Sequence, residues 1–318
     1  TAHFVVHPIL TIRVILYRTR MKTPKFYSYG HELDNVGALR ESQVSGGFGV
    51  LRKHLKEDGY LFIRDYLDRE QVLSVREEIS EEMSKRELLD SNYSNAELRC
   101  QKDETVKFIP EVANNSDKVK ELLYSGRLPK FYESLYGESV KHYDYTWLRA
   151  MPPGKGTNPH TDLPYMGRGT HNHMTCWVPY GDISYDLGGL AILEKSQQRM
   201  DLLEKYVFRD VDSYCENNSR EKSNADQGKW TFTGTLSKNP KQLAEKFESR
   251  WLTAQFRAGD FLTFSMFTVH AAMDNLSNNE YRLSSDSRYQ RASEPIDERW
   301  IGENPPGHTV AGKRGRIC

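Results

Sequence analysis

His160-Thr-Asp162, with His270 and Arg282 far downstream, is the part of this sequence richest in chemistry. Two imidazoles and one carboxylate can hold a ferrous ion on one face and leave the opposite positions open, as non-haem Fe(II) oxygenases require. Read as a β-strand, His160 and Asp162 stand at i and i+2 and project to the same side. A second strand, the apolar run from Phe261 to His270, would bring His270 alongside them. Arg282 follows a short stretch later. Its planar fork of donors suits the far carboxylate of a dicarboxylate co-substrate, and 2-oxoglutarate is the dicarboxylate this iron chemistry consumes. Arg288 falls on the same face by alternation and is the second choice for that clamp.

Each signal taken singly is weak. His142-Tyr-Asp144 has the same spacing inside a stretch with strand character, so it competes with the pair at 160. The later pair is preferred because it follows the Gly/Pro-rich loop 152–159, where functional groups reach a cavity mouth. His142 then reads as a packed or surface strand residue. His171-Asn-His173 is a further possible metal pair. It reads better as a polar loop at the pocket mouth, where Tyr165, Arg168, His171 and His173 would line the path of the substrate. A lone histidine on an apolar strand is usually a core residue, and Arg282 has Glu280 and Asp286 as ordinary ion-pair partners. The joint occurrence of the residues is what points to a site. No GxSxG-type nucleophile signature is present.

The elements that must position these residues follow from the hydrophobic pattern. Val50, Leu51 and Leu55 predict a helix ending at Gly59, and Tyr60-Leu-Phe-Ile63 a short buried strand. Asp68 is placed to cap a helix with Val72, Val75, Ile79 and Met83 on its buried face. A loop-rich connector over 84–118 leads to a helix near 118–135. The period then changes to two: strands are expected over Val140–Ala150, Met174–Val178, Leu190–Leu193, Phe261–His270 and Arg282–Tyr289. Residues 197–250 are strongly charged and interrupt the strand series, as an insertion or lid. Helices first and strands after predict an α+β fold with helices packed on an antiparallel core.

The 318 residues carry 44 Lys+Arg against 44 Asp+Glu, a net charge of 0. Such balance leaves no electrostatic footprint for nucleic acid or an anionic membrane. Cys100, Cys176, Cys215 and Cys318 form no CxxC pair, so neither a disulfide framework nor a zinc knuckle is expected, and a reducing, cytoplasmic setting is the default. Residues 1–20 contain three arginines and no acid. They read either as an organelle-targeting peptide or as non-native sequence ahead of a start at Met21, the second being preferred. Pro8 and Arg13 break the apolar run before it could span a bilayer.

Taken together, Asp58-Gly-Tyr-Leu-Phe-Ile63, His160-Thr-Asp162, Trp177, Gly188-Gly-Leu190, Ala258-Gly-Asp260, His270-Ala-Ala-Met-Asp-Asn275-Leu-Ser277 and Arg282-Leu-Ser-Ser-Asp-Ser-Arg-Tyr289 resemble the phytanoyl-CoA dioxygenase-like branch of the Fe(II)/2-oxoglutarate oxygenases. The resemblance implies a double-stranded β-helix, a cupin-type jelly roll, over 45–293, between an N-terminal extension (1–44) and a C-terminal tail (294–318). It implies His160, Asp162 and His270 as iron ligands, and Arg282 as partner of the 2-oxoglutarate distal carboxylate, with Trp177 near that corner. The implied reaction is O₂-dependent hydroxylation of a small organic substrate, with 2-oxoglutarate decarboxylated to succinate and CO₂. Desaturation, epimerisation or cyclisation on the same iron site, or a non-catalytic cupin-like binding module, are the alternatives. Two positions depart from relatives: Ser196-Gln197 where they often carry Ser-His, and Ala272 where some carry a serine that helps bind 2-oxoglutarate. Thr263, Ser284 or Tyr145 could replace that hydrogen bond. Retention of Asp162 separates the chain from related halogenases, which replace this carboxylate with a small residue.

Overall fold

A computed structural model describes residues 24–318; the expectations for residues 1–20 lie outside the described residues. The helix built on Leu51 and Leu55 runs Phe48–Asp58 and stops where Gly59 adopts φ +80°, a left-handed cap that a side chain would resist. Tyr60–Ile63 follows as a fully buried strand. The Asp68 carboxylate accepts the Gln71 N–H at 2.9 Å and starts the helix Arg69–Lys85, which buries Val72, Val75, Ile79 and Met83. The single helix expected near 118–135 is two, Asp117–Tyr124 and Arg127–Tyr136, parted at Gly126 with φ +68°.

The strands form two main sheets. The larger runs Tyr60–Ile63, Phe261–Ser265, Met174–Pro179, Arg282–Arg291, Val140–His142, with Trp147–Met151 also paired along Arg282–Arg291. Every pairing in it is antiparallel. The smaller runs His270–Ala272, Leu190–Leu193, Trp251–Thr253, Val36–Ala38. Alternation sorts the larger sheet's faces. Trp177, Leu262 and Phe264 pack with Leu190, Ile192 and Leu252 of the smaller sheet. Cys176, Val178 and Phe261 pack instead with Phe131 and Tyr132 of the helical layer. Two sheets enclosing one apolar interior, with helices on the outer face, make the jelly-roll architecture.

Three strand expectations are corrected. Val140–Ala150 is two strands, Val140–His142 and Trp147–Met151, on the same partner. Phe261–His270 is broken too: Phe261–Ser265 belongs to the larger sheet and His270–Ala272 to the smaller. Polar side chains hold the crossing between them. The Thr268 hydroxyl reaches the Gly59 carbonyl at 2.8 Å, and Ser196 Oγ accepts the Val269 N–H at 2.9 Å. Finally, His160 makes only an isolated bridge, and Asp162 opens the short helix Leu163–Met166 in helical conformation (φ −78°, ψ −20°).

Residues 197–250 connect the antiparallel neighbours Leu190–Leu193 and Trp251–Thr253 and carry the helices Met200–Val207, Ser219–Asp226 and Pro240–Lys246. Their strand Ser213–Cys215 pairs in parallel with Arg314–Arg316 of the tail. There the cysteine expectation fails: Cys215 and Cys318 form a disulfide across 103 residues, while Cys100 and Cys176 are free and buried. No spacing motif could announce this bond, because it depends on the tail folding back. Among the described residues no helix is long and apolar enough to cross a membrane.

Candidate metal centre

The loop 152–159 delivers His160 to the edge strand of the smaller sheet, beside His270. Gly156 makes this approach possible, since a Cβ there would lie 2.0 Å from the Ala272 carbonyl oxygen. His160 and His270 then exchange backbone hydrogen bonds, N–H to O=C at 3.1 and 2.9 Å. Their rings lie 4.3 Å apart between centroids. Each Nδ1 donates to a carbonyl, Asn158 at 2.7 Å and Thr268 at 3.1 Å, which fixes the tautomer and leaves each Nε2 lone pair facing inward. Those Nε2 atoms stand 3.7 and 3.6 Å from Asp162 Oδ1. One ligand atom from each of the three residues falls within 4.8 Å of the others.

The second oxygen of Asp162 is held from behind. Oδ2 accepts the Thr175 hydroxyl at 2.5 Å and Arg288 Nη2 at 2.9 Å. Burial opposes the charge of Asp162, but Arg288 above all, with the two imidazoles and Thr175, holds its carboxyl well below the usual range. Burial and the neighbouring His270 push His160 down to about 3. Two neutral imidazoles and one carboxylate are the donor set a divalent iron takes, so these residues fit the metal that the sequence implies.

Two cavities meet at this centre, both bordered by Arg149, Thr157, His160, Asp162 and Arg288. The inner pocket adds Trp177, Leu190, His270, Ala272 and Arg282. Arg282 is 1% exposed and donates to Ser284 Oγ at 2.5 Å, yet among the described residues its Nε and Nη2 have no partner, nor has Trp177 Nε1. A buried guanidinium with idle donors lacks its anion. Burial, with a smaller contribution from Arg149, pushes its pKa down to about 9. These idle groups suit the carboxylate end of 2-oxoglutarate. The Ala272 side supplies no hydroxyl of its own, but Thr157 is close by: its Oγ1 accepts the Ala272 N–H at 2.8 Å and it lines the same pocket.

The outer cavity, about 700 Å³, is walled by Tyr145, Trp147, Tyr165, Trp230, Trp300 and His308. A separate cleft of about 480 Å³ around Asp34, Lys241 and Arg250 shares none of these residues. Of the four residues expected along the substrate path, only Tyr165 lines the outer cavity. Arg168 is bound to Asp210 at 2.7 Å, and His171 is exposed with Nε2 3.2 Å from the Gly167 carbonyl. His173 is buried, its Nδ1 on the Thr170 carbonyl at 2.8 Å. None of the three lines either cavity; the stretch expected as a polar loop at the pocket mouth opens with the short helix Leu163–Met166. Arg288 sits on the expected face, but its guanidinium is engaged with Asp162 and lies over the Trp147 ring. His142 stacks on Tyr124, away from both cavities. The reading missed Thr175, whose hydroxyl no spacing rule marks, and the aromatic wall supplied by residues 230 and 300–309.

Solved structures share this architecture at low identity. They include the carbocyclase SnoK from nogalamycin biosynthesis (16% identity, TM-score 0.57, covering 81% of this chain and 90% of that one). The epimerase SnoN, in complex with Fe³⁺, α-ketoglutarate and nogalamycin RO, gives 19% identity and TM-score 0.54, covering 79% and 86%. EctD from S. alaskensis, with 2-oxoglutarate and 5-hydroxyectoine, gives 13% and 0.56, covering 95% and 99%. No curated protein matches the chain. The family model for phytanoyl-CoA dioxygenase (PhyH) matches residues 55–283, a span that begins in the first helix and holds both histidines, Asp162, Trp177 and Arg282. The chain therefore belongs to the phytanoyl-CoA dioxygenase (PhyH) family, whose cofactor is Fe(II) and whose co-substrates are 2-oxoglutarate and O₂.

Proposed function

We propose that this family member hydroxylates a C–H bond of a small organic substrate at an iron held by His160, Asp162 and His270. The observation that carries the reading is the convergence of both Nε2 atoms on Asp162 Oδ1, with the idle donors of Arg282 in the pocket behind. Bound there, iron with 2-oxoglutarate and O₂ would supply an oxidant able to remove hydrogen from an unactivated carbon, with succinate and CO₂ as by-products. The protein's own part is positioning. Asn158 and Thr268 aim the imidazoles, Arg288 and Thr175 aim the carboxylate, and Arg282 with Trp177 binds and orients the co-substrate's far end. The substrate takes the aromatic outer cavity, on the other side of the shared residues. Residues 197–250 act as its outer wall and exclude water. Tyr206 Oη accepts the Thr161 N–H at 3.2 Å and the Leu236 N–H reaches the Pro159 carbonyl at 2.9 Å, tying this segment to the metal-bearing loop.

Epimerase and carbocyclase activities among the structural neighbours favour a second reading, hydrogen removal without oxygen transfer. Product mass separates the two: one added oxygen against an unchanged mass or the loss of two hydrogens. The basic test is anaerobic Fe(II) titration in the presence of 2-oxoglutarate, followed by succinate formation on admitting air. A metal-to-ligand charge-transfer band that Asp162→Ala abolishes supports the reading. Its absence in the unaltered protein makes this a binding module.

A further inference from the structure

The family match ends at residue 283, yet much of the outer cavity is built after it. Trp300 and residues 305–309 line the outer cavity and not the inner pocket. A charged cluster holds this stretch in place. Asp212, fully buried, accepts Arg299 Nη1 at 2.5 Å, Lys313 Nζ at 2.8 Å and His308 Nδ1 at 2.7 Å. The disulfide Cys215–Cys318 closes the same unit. The wall is therefore fixed before any ligand arrives.

His308 is the polar group of that wall. Nδ1 is bonded to a carboxylate and so carries a proton; in the neutral tautomer this leaves Nε2 as an acceptor. Nε2 has no partner among the described residues. The ring is framed by Trp300 at 4.8 Å, Trp230 at 5.1 Å and Tyr165 at 6.0 Å between centroids. Tyr165 in turn lies 5.6 Å from His160, so the imidazole stands one aromatic ring beyond the metal ligands. Both cations bordering the cavity already have carboxylate partners, Arg149 with Asp286 at 2.9 Å and Arg288 with Asp162 at 2.9 Å. No lysine lines it. Nothing there awaits a polyphosphate, and the aromatic faces offer stacking instead.

We propose that residues 300–309, with Trp230, form the substrate-recognition wall of this enzyme: Trp300 is the buried backing of that wall, and a ring-bearing molecule stacks on the exposed Trp230 and the half-buried Tyr165 and donates a ring hydroxyl to His308 Nε2. The chemistry is shared by phenols and by sugar rings, and a coenzyme A thioester is the competing class that the test must reject. The proposal rests on the oxygenase reading for its role in turnover but not for its binding. Calorimetric titration of the intact protein with 2-naphthol, phenyl β-glucoside, 2-methoxynaphthalene and octanoyl-CoA tests it. One or both hydroxyl-bearing rings should bind, about tenfold tighter than the methoxy control, as for one neutral hydrogen bond. 2-Naphthol binding alone assigns a phenolic substrate, and glucoside binding alone assigns a sugar ring. His308→Ala should remove the preference for hydroxyl. Trp230→Leu, at a half-exposed residue whose replacement spares the fold, should weaken all ring probes equally. Tighter binding of octanoyl-CoA, binding of no ring probe, or a hydroxyl preference that survives His308→Ala in protein with native circular dichroism overturns the proposal. The ferrous charge-transfer band on the same preparation reads the iron centre independently. Lost binding with the band intact rejects only the recognition wall, and an absent band with binding intact rejects only the oxygenase.

Discussion

Arg288 and Asp162 divide one carboxylate between two tasks. Arg288 Nη2 stands 2.9 Å from Oδ2, which also takes the Thr175 hydroxyl, while Oδ1 alone faces His160 and His270. The arginine that alternation offered as a second clamp for 2-oxoglutarate is thus engaged with Asp162, the proposed metal ligand. Outer partners of this kind commonly change metal affinity by about 10–100-fold. Arg288→Met is expected to weaken Fe(II) binding within that range while leaving the 2-oxoglutarate affinity of metal-saturated protein within a few-fold. Anaerobic titration of each in turn checks this, and the reverse pattern returns Arg288 to the clamp.

Arg282 carries the opposite expectation. Its guanidinium is buried with two idle donor atoms, so the co-substrate's carboxylate would be its principal partner. Truncating one side of a buried charged pair costs about 2–5 kcal/mol. Arg282→Met should therefore raise the KM for 2-oxoglutarate at least about 30-fold. Fe(II) affinity measured without 2-oxoglutarate should be unchanged. Because an unpaired buried cation is itself unfavourable, the variant should melt no lower than the unaltered protein when both lack ligand.

Metal loading should register as stability. A ligand that binds only the folded state stabilises it by about 2.7 kcal/mol at a hundredfold excess over its Kd. Fe(II) under argon, or Ni(II) as an oxygen-stable substitute, should raise the melting temperature in a concentration-dependent way, and a chelator should reverse it. His270→Ala should abolish the rise. A rise that persists in that variant would place the bound metal elsewhere.

Asp212 gives a pH signature. Burial raises its pKa, but the hydrogen bonds and charges of His308 and Lys313 prevail and hold the carboxyl down at about 2. A depressed carboxylate contributes stability above its unfolded pKa and loses it as pH falls through the folded value. Between about pH 4 and pH 2 the protein should therefore lose on the order of 2 kcal/mol from this group. Asp212→Asn should flatten that part of the stability–pH curve. An unaltered slope would mean that the cluster contributes nothing to acid stability.

The disulfide can be counted. Thiol titration of the denatured, unreduced protein should give two free groups, Cys100 and Cys176, and four after reduction. Closing a loop of about 100 residues contributes up to roughly 4–5 kcal/mol by the chain-entropy account. Cys318→Ser should lower the melting temperature and speed proteolysis within residues 300–318. Four thiols without reductant would show that the bond does not form in solution.

Local signals carried the outer frame of this molecule far. Gly59, Asp68 and the apolar face of Arg69–Lys85 are readable because caps and periodicity act over a few residues. His160, Asp162 and His270 were readable as a set of types. Their geometry was not: the expected strand at 160–162 is a bridge followed by a helical turn, and the apolar run to His270 crosses between sheets. A continuous apolar stretch looks the same whether it stays in one sheet or changes sheets, and here the change is set by Thr268 and Ser196, partners far apart in sequence. The outer wall was illegible for a similar reason, since Asp212, Arg299, His308 and Lys313 meet only through the tail's return.

The strand Arg282–Arg291 places Arg282, Ser284, Asp286 and Arg288 toward the cavities and Leu283 and Tyr289 toward the helices. Sliding that one strand by a single position would swap the two sets at a stroke, taking away the proposed co-substrate anchor Arg282 and the Arg288 contact to Asp162 together. A one-residue error in this strand would therefore strike iron loading and co-substrate loading at the same time, where the single substitutions at Arg288 and Arg282 are expected to separate them.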